Sequence, residues 1–224
     1  MSHSKYEIVV LGKDGTAGAA GEQGANRAPA QNGRNAECAW AGGCLRDGER
    51  GGDGGHGGAG GAGGHGQAGD EARNAILTIG ELVGNLRVYS QGGRGGAGGG
   101  GGHGGHGGAG GNGGEGAACV WQGCGRGAGG NGGNAGNGGR GGDGGGGGAG
   151  GEVLVKIKEG RREQVAELAA PSPGGREGTA GKAGSAGAPG VGRSDGDPGR
   201  PGSDGSAGNP GREGRPGLIN VMIG

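Results

Sequence analysis

Phenylalanine is absent from this chain of 224 residues, aromatic residues of all kinds make up 2% of it, and hydrophobic residues only 28%. That shortage excludes an ordinary packed core, because too little apolar side chain is present to drive the collapse of a chain this long. Net charge is missing too. The 21 basic residues balance 21 acidic ones and are scattered along the chain, so nothing points to nucleic acid or to an anionic membrane surface as a partner. No apolar run approaches the roughly 18 residues that a membrane span requires. The amino-terminal MSHSKYEIVVLGKDG holds an apolar stretch too short for the hydrophobic region of a secretory leader, which needs about 7 residues or more. Export would thus use another route or follow cell lysis.

Catalytic patterns are lacking as well. The glycine-lysine pair Gly181-Lys182 fails as a phosphate loop, because Arg176 stands where the first glycine is needed and Ala183 follows the lysine. No nucleophile and base fall into a recognisable arrangement. The sequence reads as that of a non-enzyme.

What is abundant is glycine, 78 residues of it, and it is phased. Residues 102–116 (GHGGHGGAGGNGGEG) repeat glycine-glycine-X without a break, and Arg94, Ala97, His103, His106, Ala109, Asn112 and Glu115 all fall on one three-residue register. A left-handed helix of the polyproline II type has three residues per turn, so every X lies on one edge while two glycine edges stay bare. Such a helix makes no internal hydrogen bonds, and its N–H and C=O groups must be met by neighbouring segments or by water. Residues 51–66 and 127–151 repeat the pattern. Residues 12–24 carry glycine at every third position, and residues 178–217 read as G-X-Y with five prolines each directly before a glycine. The expected fold class is a glycine-rich polyglycine-II helix bundle with a small β-sheet and little or no α-helix.

Between the tracts lie short apolar runs. Residues 6–11 (YEIVVL), 153–157 (VLVKI) and 218–223 (LINVMI) read as strands, and 75–90 (AILTIGELVGNLRVYS) as a hairpin. Together they form the expected sheet. Residues 161–170 (RREQVAELAA) hold helix formers for about two turns before Pro171. Residues 25–50 lose the period and read as a loop or cap. The all-glycine runs 98–102 and 144–148 have no side chain to fix a phase and are candidate chain reversals, as is VGRSD around Arg193. Two parts follow, 1–171 with strands, glycine tracts and two cysteine loops, and 172–224 with the G-X-Y tract and the last strand, packed in one domain. The order of cysteine loop, glycine tract and strand occurs twice, which places strands at one end of the tracts and cysteine loops at the other.

The four cysteines come as Cys38 with Cys44 and Cys119 with Cys124, each loop carrying Cys-X-Trp. Three readings stay open: two disulfides, within or between loops; four reduced thiols; or a structural zinc, the one cofactor the chain could hold. Trp40 and Trp121 either cap these sulfurs or stack on a ligand, and are the candidate binding residues. His103 and His106 stand one turn apart on one edge, about 9 Å, too far to share one ion. No confident metal site follows.

The glycine-glycine-X tracts with intervening loops resemble the polyglycine-II sandwich of T-even-type phage tail-tip adhesins, a likeness that implies a rigid core and receptor-binding loops. Here only the loops around Trp40 and Trp121 could play that part. The run GGAGGNGGNAGNGGRGGDGG is similar to the PGRS repeats of mycobacterial surface proteins, and residues 178–217 to bacterial collagen-like segments. Insect-type glycine-rich antifreeze proteins share the pattern, but Arg94, Glu115, Arg140 and Asp143 put charges where a flat ice-binding face would lie. The expected function is that of a surface-binding adhesin whose partner is a cell-surface carbohydrate or protein receptor. The alternatives are a self-assembling extracellular fibre or matrix subunit, binding copies of itself, and a collagen-like trimeric stalk.

Overall fold

A computed structural model describes residues 5–224; the first four residues, part of the stretch read above for a leader, lie outside the described residues. The apolar runs form strands because they alternate. In β6 (Glu152–Glu159), Val153, Val155 and Ile157 are buried while Glu152, Lys156 and Lys158 are exposed. The remaining strands are β1 (Lys5–Leu11), β2 (Glu37–Cys38), β3 (Cys44–Arg46), β4 (Ala75–Glu81), β5 (Asn85–Gln91), β7 (Val165–Ala169) and β8 (Leu218–Ile223).

The chain path dictates how they pair. Three tracts leave the strand end and three return to it. β1, β5 and β7, which feed the outgoing tracts, lie side by side and parallel, in the order β1-β5-β7. β4, β6 and β8, which finish the returning tracts, form a second parallel sheet in the order β4-β6-β8. Parallel neighbours need a long crossover, and the out-and-back tracts supply it: Lys5 pairs with Asn85 and Ala75 with Val153. The two inner faces pack on each other. Leu86, Val88 and Val165 of one sheet meet Val153, Val155 and Ile157 of the other, with Ile8, Val10, Leu77, Ile79, Ile219 and Val221 around them.

The expected class, a polyglycine-II helix bundle with one small β-sheet, is corrected by this architecture. The regular elements are two three-stranded parallel sheets and a two-stranded antiparallel ribbon, and the tracts between them form neither α-helix nor β-ladder. Among the described residues the sole helical turn is the short 3-10 segment Arg162–Gln164. Residues 75–90 are not a hairpin. β4 and β5 belong to different sheets, because the turn at Leu82 and Gly84, the latter with φ of 96°, carries the chain across the core, and Leu82 is buried in it. Residues 161–170 are not a helix, since Val165 gains a buried place opposite Leu86 by continuing as β7.

The tracts run extended between the strand end and the far end, joined sideways through their backbones. In the 92–116 tract Gly96, Gly99, Gly102 and Gly105 donate to Gln67, Gly64, Gly61 and Gly58 carbonyls, while Gly95, Gly98, Gly101 and Gly104 donate to Pro173, Arg176, Thr179 and Lys182 carbonyls. Bonds recur every third residue on two sides. Each nets about 0.5 to 1.5 kcal/mol, and their number takes the place of side-chain burial. The glycine runs 98–102 and 144–148 therefore do not reverse: backbone bonds to neighbours fix their phase without any side chain. The first tract does not end at residue 24 either. Arg27, Ala30, Gly33 and Ala36 donate to His106, Ala109, Asn112 and Glu115 carbonyls, and the side chains of Arg27 and Ala30 are accommodated against Gly55 and Gly52. The turn around Arg193 does reverse the chain, with Gly192 N–H donating to Asp195 Oδ1 at 3.2 Å.

Where sheets give way to tracts, two serines are wholly buried. Ser90 Oγ donates to the Gly151 carbonyl at 2.9 Å and Ser172 Oγ to that of Gly148, so neither hydroxyl is left unpaired.

Candidate binding surface at the stapled tip

At the far end the 37–47 and 117–125 loops lie together. β2 and β3 form an antiparallel ribbon with Cys38 opposite Cys44 and Glu37 opposite Arg46, whose side chains pair at 2.9 Å. The ribbon turns at Gly42, φ of 89°, where the Ala39 N–H donates to the Gly43 carbonyl. The second loop closes with a bridge between Ala117 and Cys124. Two disulfides join the loops: Cys38–Cys119, Cα atoms 5.6 Å apart, and Cys44–Cys124, 5.1 Å apart. No thiol is free among the described residues. The pairing is between loops, a choice the spacing in the sequence left open. Asp47 Oδ1 adds a further tie, accepting the Gly125 N–H at 2.7 Å.

Trp121 lies across the Gly42 turn, its N–H donating to the Gly42 carbonyl at 2.8 Å and its indole Nε1–H to the Ala41 carbonyl at 2.9 Å. A side chain at position 42 would meet the indole at 2.8 Å. Trp40 stands free, 101% exposed, and Trp121 is 81% exposed. Val120 and Leu45 beside them are also exposed. The indoles therefore do not cap the sulfurs. They present an apolar surface to solvent at a rigid, covalently closed tip.

Sequence reasoning missed a role of the X positions. An X-position N–H on the outer face of a tract has no tract carbonyl to meet, and the neighbouring tract's X side chain accepts it where that side chain can. Asp14 accepts from Arg94, Asn26 from His106, Asn32 from Asn112, Asp53 from Asn131, Asn131 from Asp197, and Asn134 from Arg200, at 2.7 to 2.8 Å. The histidines do the same. Nδ1 of His56, His65, His103 and His106 accepts from Asn134, Asp143, Lys182 and Ser185, a geometry that places the ring proton on Nε2. Side chains of Asn, Asp and His at X are thus structural acceptors. The abundance of these types at X was the signal for it.

Three carboxylates in these ladders are held below the usual range. Asp143 is shifted chiefly by the Asn209 N–H and then by Arg140; Asp53 by Arg50 and then by the Asn131 N–H; Asp204 by the Ala183 N–H and then by Lys182. A lowered carboxylate stabilises the folded state above its unfolded value, near 3.9, and that contribution is lost as pH falls through the folded value. Replacing all three by Asn keeps an acceptor oxygen but removes the titration. Thermal unfolding of this triple variant should therefore lose less stability below about pH 4 than that of the parent; equal acid slopes would contradict the assignment.

No protein-family model matches this chain, and no curated protein matches it. Among solved structures, the nine polyproline type II helical bundle of a springtail antifreeze protein from Granisotoma rainieri is similar at 22% identity, over 95% of this chain and 96% of that one, with a TM-score of 0.12. A score that low carries no argument about this chain. Among the described residues no helix is long and apolar enough to cross a membrane.

Proposed function

We propose that this chain is a non-enzymatic recognition protein that attaches to a cell surface through its stapled tip, in the manner of a tail-tip adhesin, with a carbohydrate or protein receptor as partner. The observation that supports this reading is the placement of both tryptophans. In a chain with 2% aromatic residues, both indoles stand exposed on one disulfide-closed end. Indoles join large apolar area to a polar N–H and dominate binding energy at interfaces. A rigid tip also loses little entropy when it binds.

The test is attachment of labelled protein to immobilised glycans and to whole cells. Trp40→Ala with Trp121→Ala should lower binding by about 30-fold or more, the effect of removing a hot spot of about 2 kcal/mol. Trp40→Ala alone should leave thermal unfolding unchanged, since Trp40 is fully exposed. Undiminished attachment by the double variant would remove the tip from the function.

A further inference from the structure

The two disulfides are not merely near each other. Sγ of Cys119 lies 3.8 Å from Sγ of Cys124, which belongs to the other bridge, so all four sulfurs form one cluster. A zinc ion bound by four thiolates at about 2.3 Å in a tetrahedron sets its sulfurs about 3.8 Å apart along every edge. One edge of that tetrahedron is already present across the two bridges. The backbone suits the others. Each loop supplies two sulfurs from a closed hairpin, Cys38 opposite Cys44 in the ribbon and Cys119 inside the Ala117–Cys124 bridge. Opening each S–S bond to about 3.8 Å is then a matter of side-chain rotation from two anchored hairpins.

A second, independent observation concerns unpaired donors. The Nε atoms of Arg46 and Arg126 are buried and have no hydrogen-bond partner, although each side chain as a whole is more than a third exposed. Each arginine stands two residues after a cysteine of the cluster, Cys44 and Cys124. Their terminal nitrogens are engaged, Arg46 with Glu37 and Arg126 with Glu115. These carboxylates already balance the two cations, and Asp47 Oδ1, 3.5 Å from Cys44 Sγ, adds a further negative charge, so it is the two unpaired Nε–H donors, not net charge, that the disulfides leave unused. Four thiolates around Zn²⁺ carry a net charge of about −2 and are strong acceptors for such N–H groups.

We infer that the reduced tip is a tetrathiolate zinc site formed by Cys38, Cys44, Cys119 and Cys124, with the unpaired Nε–H groups of Arg46 and Arg126 as its outer-shell donors. Reduction of each disulfide takes up two electrons and two protons, which a phosphine reductant and water supply as the phosphine becomes its oxide. Binding of one Zn²⁺ then displaces the four thiol protons. One ion replaces two covalent bonds as the staple between the loops, so the tip is closed under reducing as well as oxidising conditions. This assignment does not depend on what the tip binds.

The test uses the full-length protein, reduced with a phosphine under argon and titrated first with Co²⁺ and then with Zn²⁺. One cobalt per chain should bind with the intense visible bands of a tetrahedral thiolate site, and stoichiometric zinc should bleach them. The oxidised protein should take up no metal there. Cys44→Ser should weaken cobalt binding by about 100-fold or more, since loss of a ligand exceeds the 10-fold to 100-fold cost of outer-shell changes. Arg46→Gln with Arg126→Gln should weaken it about 10-fold at unchanged stoichiometry. The inference is overturned if the reduced parent protein binds no cobalt, if its spectrum is that of an octahedral site, or if Cys44→Ser and Cys119→Ser both bind as the parent does, which would assign the metal to the histidines.

Discussion

Gly105→Ala should unfold this protein at a temperature roughly 6 to 12 °C below that of the parent, the consequence of about 3 kcal/mol lost. Gly105 sits in the central 92–116 tract, where its N–H donates to Gly58 and its carbonyl accepts from Gly136. A methyl group there would stand 2.0 Å from the Ala25 carbonyl oxygen and 2.5 Å from its carbon. Both atoms are backbone, so no side chain can rotate away. The tracts must part, and bonds on the neighbouring rungs, such as Gly24 N–H to the His103 carbonyl, lengthen with them. Gly80→Ala is the matched control. Gly80 lies in β4 with nothing within 4 Å of the added carbon, and it should unfold within a few degrees of the parent. Equal midpoints for the two variants, measured by circular dichroism, would mean that the tracts are not in contact.

Removal of residues 218–224 should be more damaging still. β8 supplies Ile219 and Val221 to the core and covers one flank of β6, whose Val153, Val155 and Ile157 are at most 2% exposed. Two half-buried side chains at about 1 to 2 kcal/mol each, with the ladder bonds to β6 at about 0.5 to 1.5 kcal/mol each, amount to a large part of the roughly 5 to 15 kcal/mol that stabilises a typical domain. The truncated chain should lose its cooperative thermal transition. The reason is one of distribution: the buried cluster of the described residues lies wholly within the two sheets and their connecting turns, and nothing in the glycine tracts can replace it. An unchanged transition would show that the tracts hold together without the sheets.

These expectations mark which features are written in the sequence and which are not. The three-residue phase and the alternation in residues 153–157 are local patterns, and both mark what the chain does there. Pairing is not local. β7 was hidden because RREQVAELAA is rich in helix formers, and only the place opposite Leu86 makes a strand the better use of Val165. The runs at 98–102 and 144–148 read as reversals because they carry no side chain to mark a phase, whereas carbonyls such as those of Gly64 and Arg176 hold the first of them straight. The candidate tip was legible as Cys-X-Trp twice. Its inter-loop pairing, and the exposure of both indoles, depend on two tracts ending side by side, and no spacing within one loop encodes that.

The most direct test of the account, in which glycine backbones bond to one another within a single chain, is amide hydrogen exchange read residue by residue by NMR. Gly96, Gly99, Gly102 and Gly105, with Gly95, Gly98, Gly101 and Gly104, should be protected to a degree approaching that of β6, because each donates to a carbonyl on a neighbouring tract. Ala97 and Ala109 in the same tract should exchange rapidly, because the neighbouring positions in register with them, Ala17 and Pro29, carry no side-chain acceptor. A period-three pattern of this kind is what the structure predicts. Rapid exchange throughout residues 92–116, with protection confined to the strands, would contradict it.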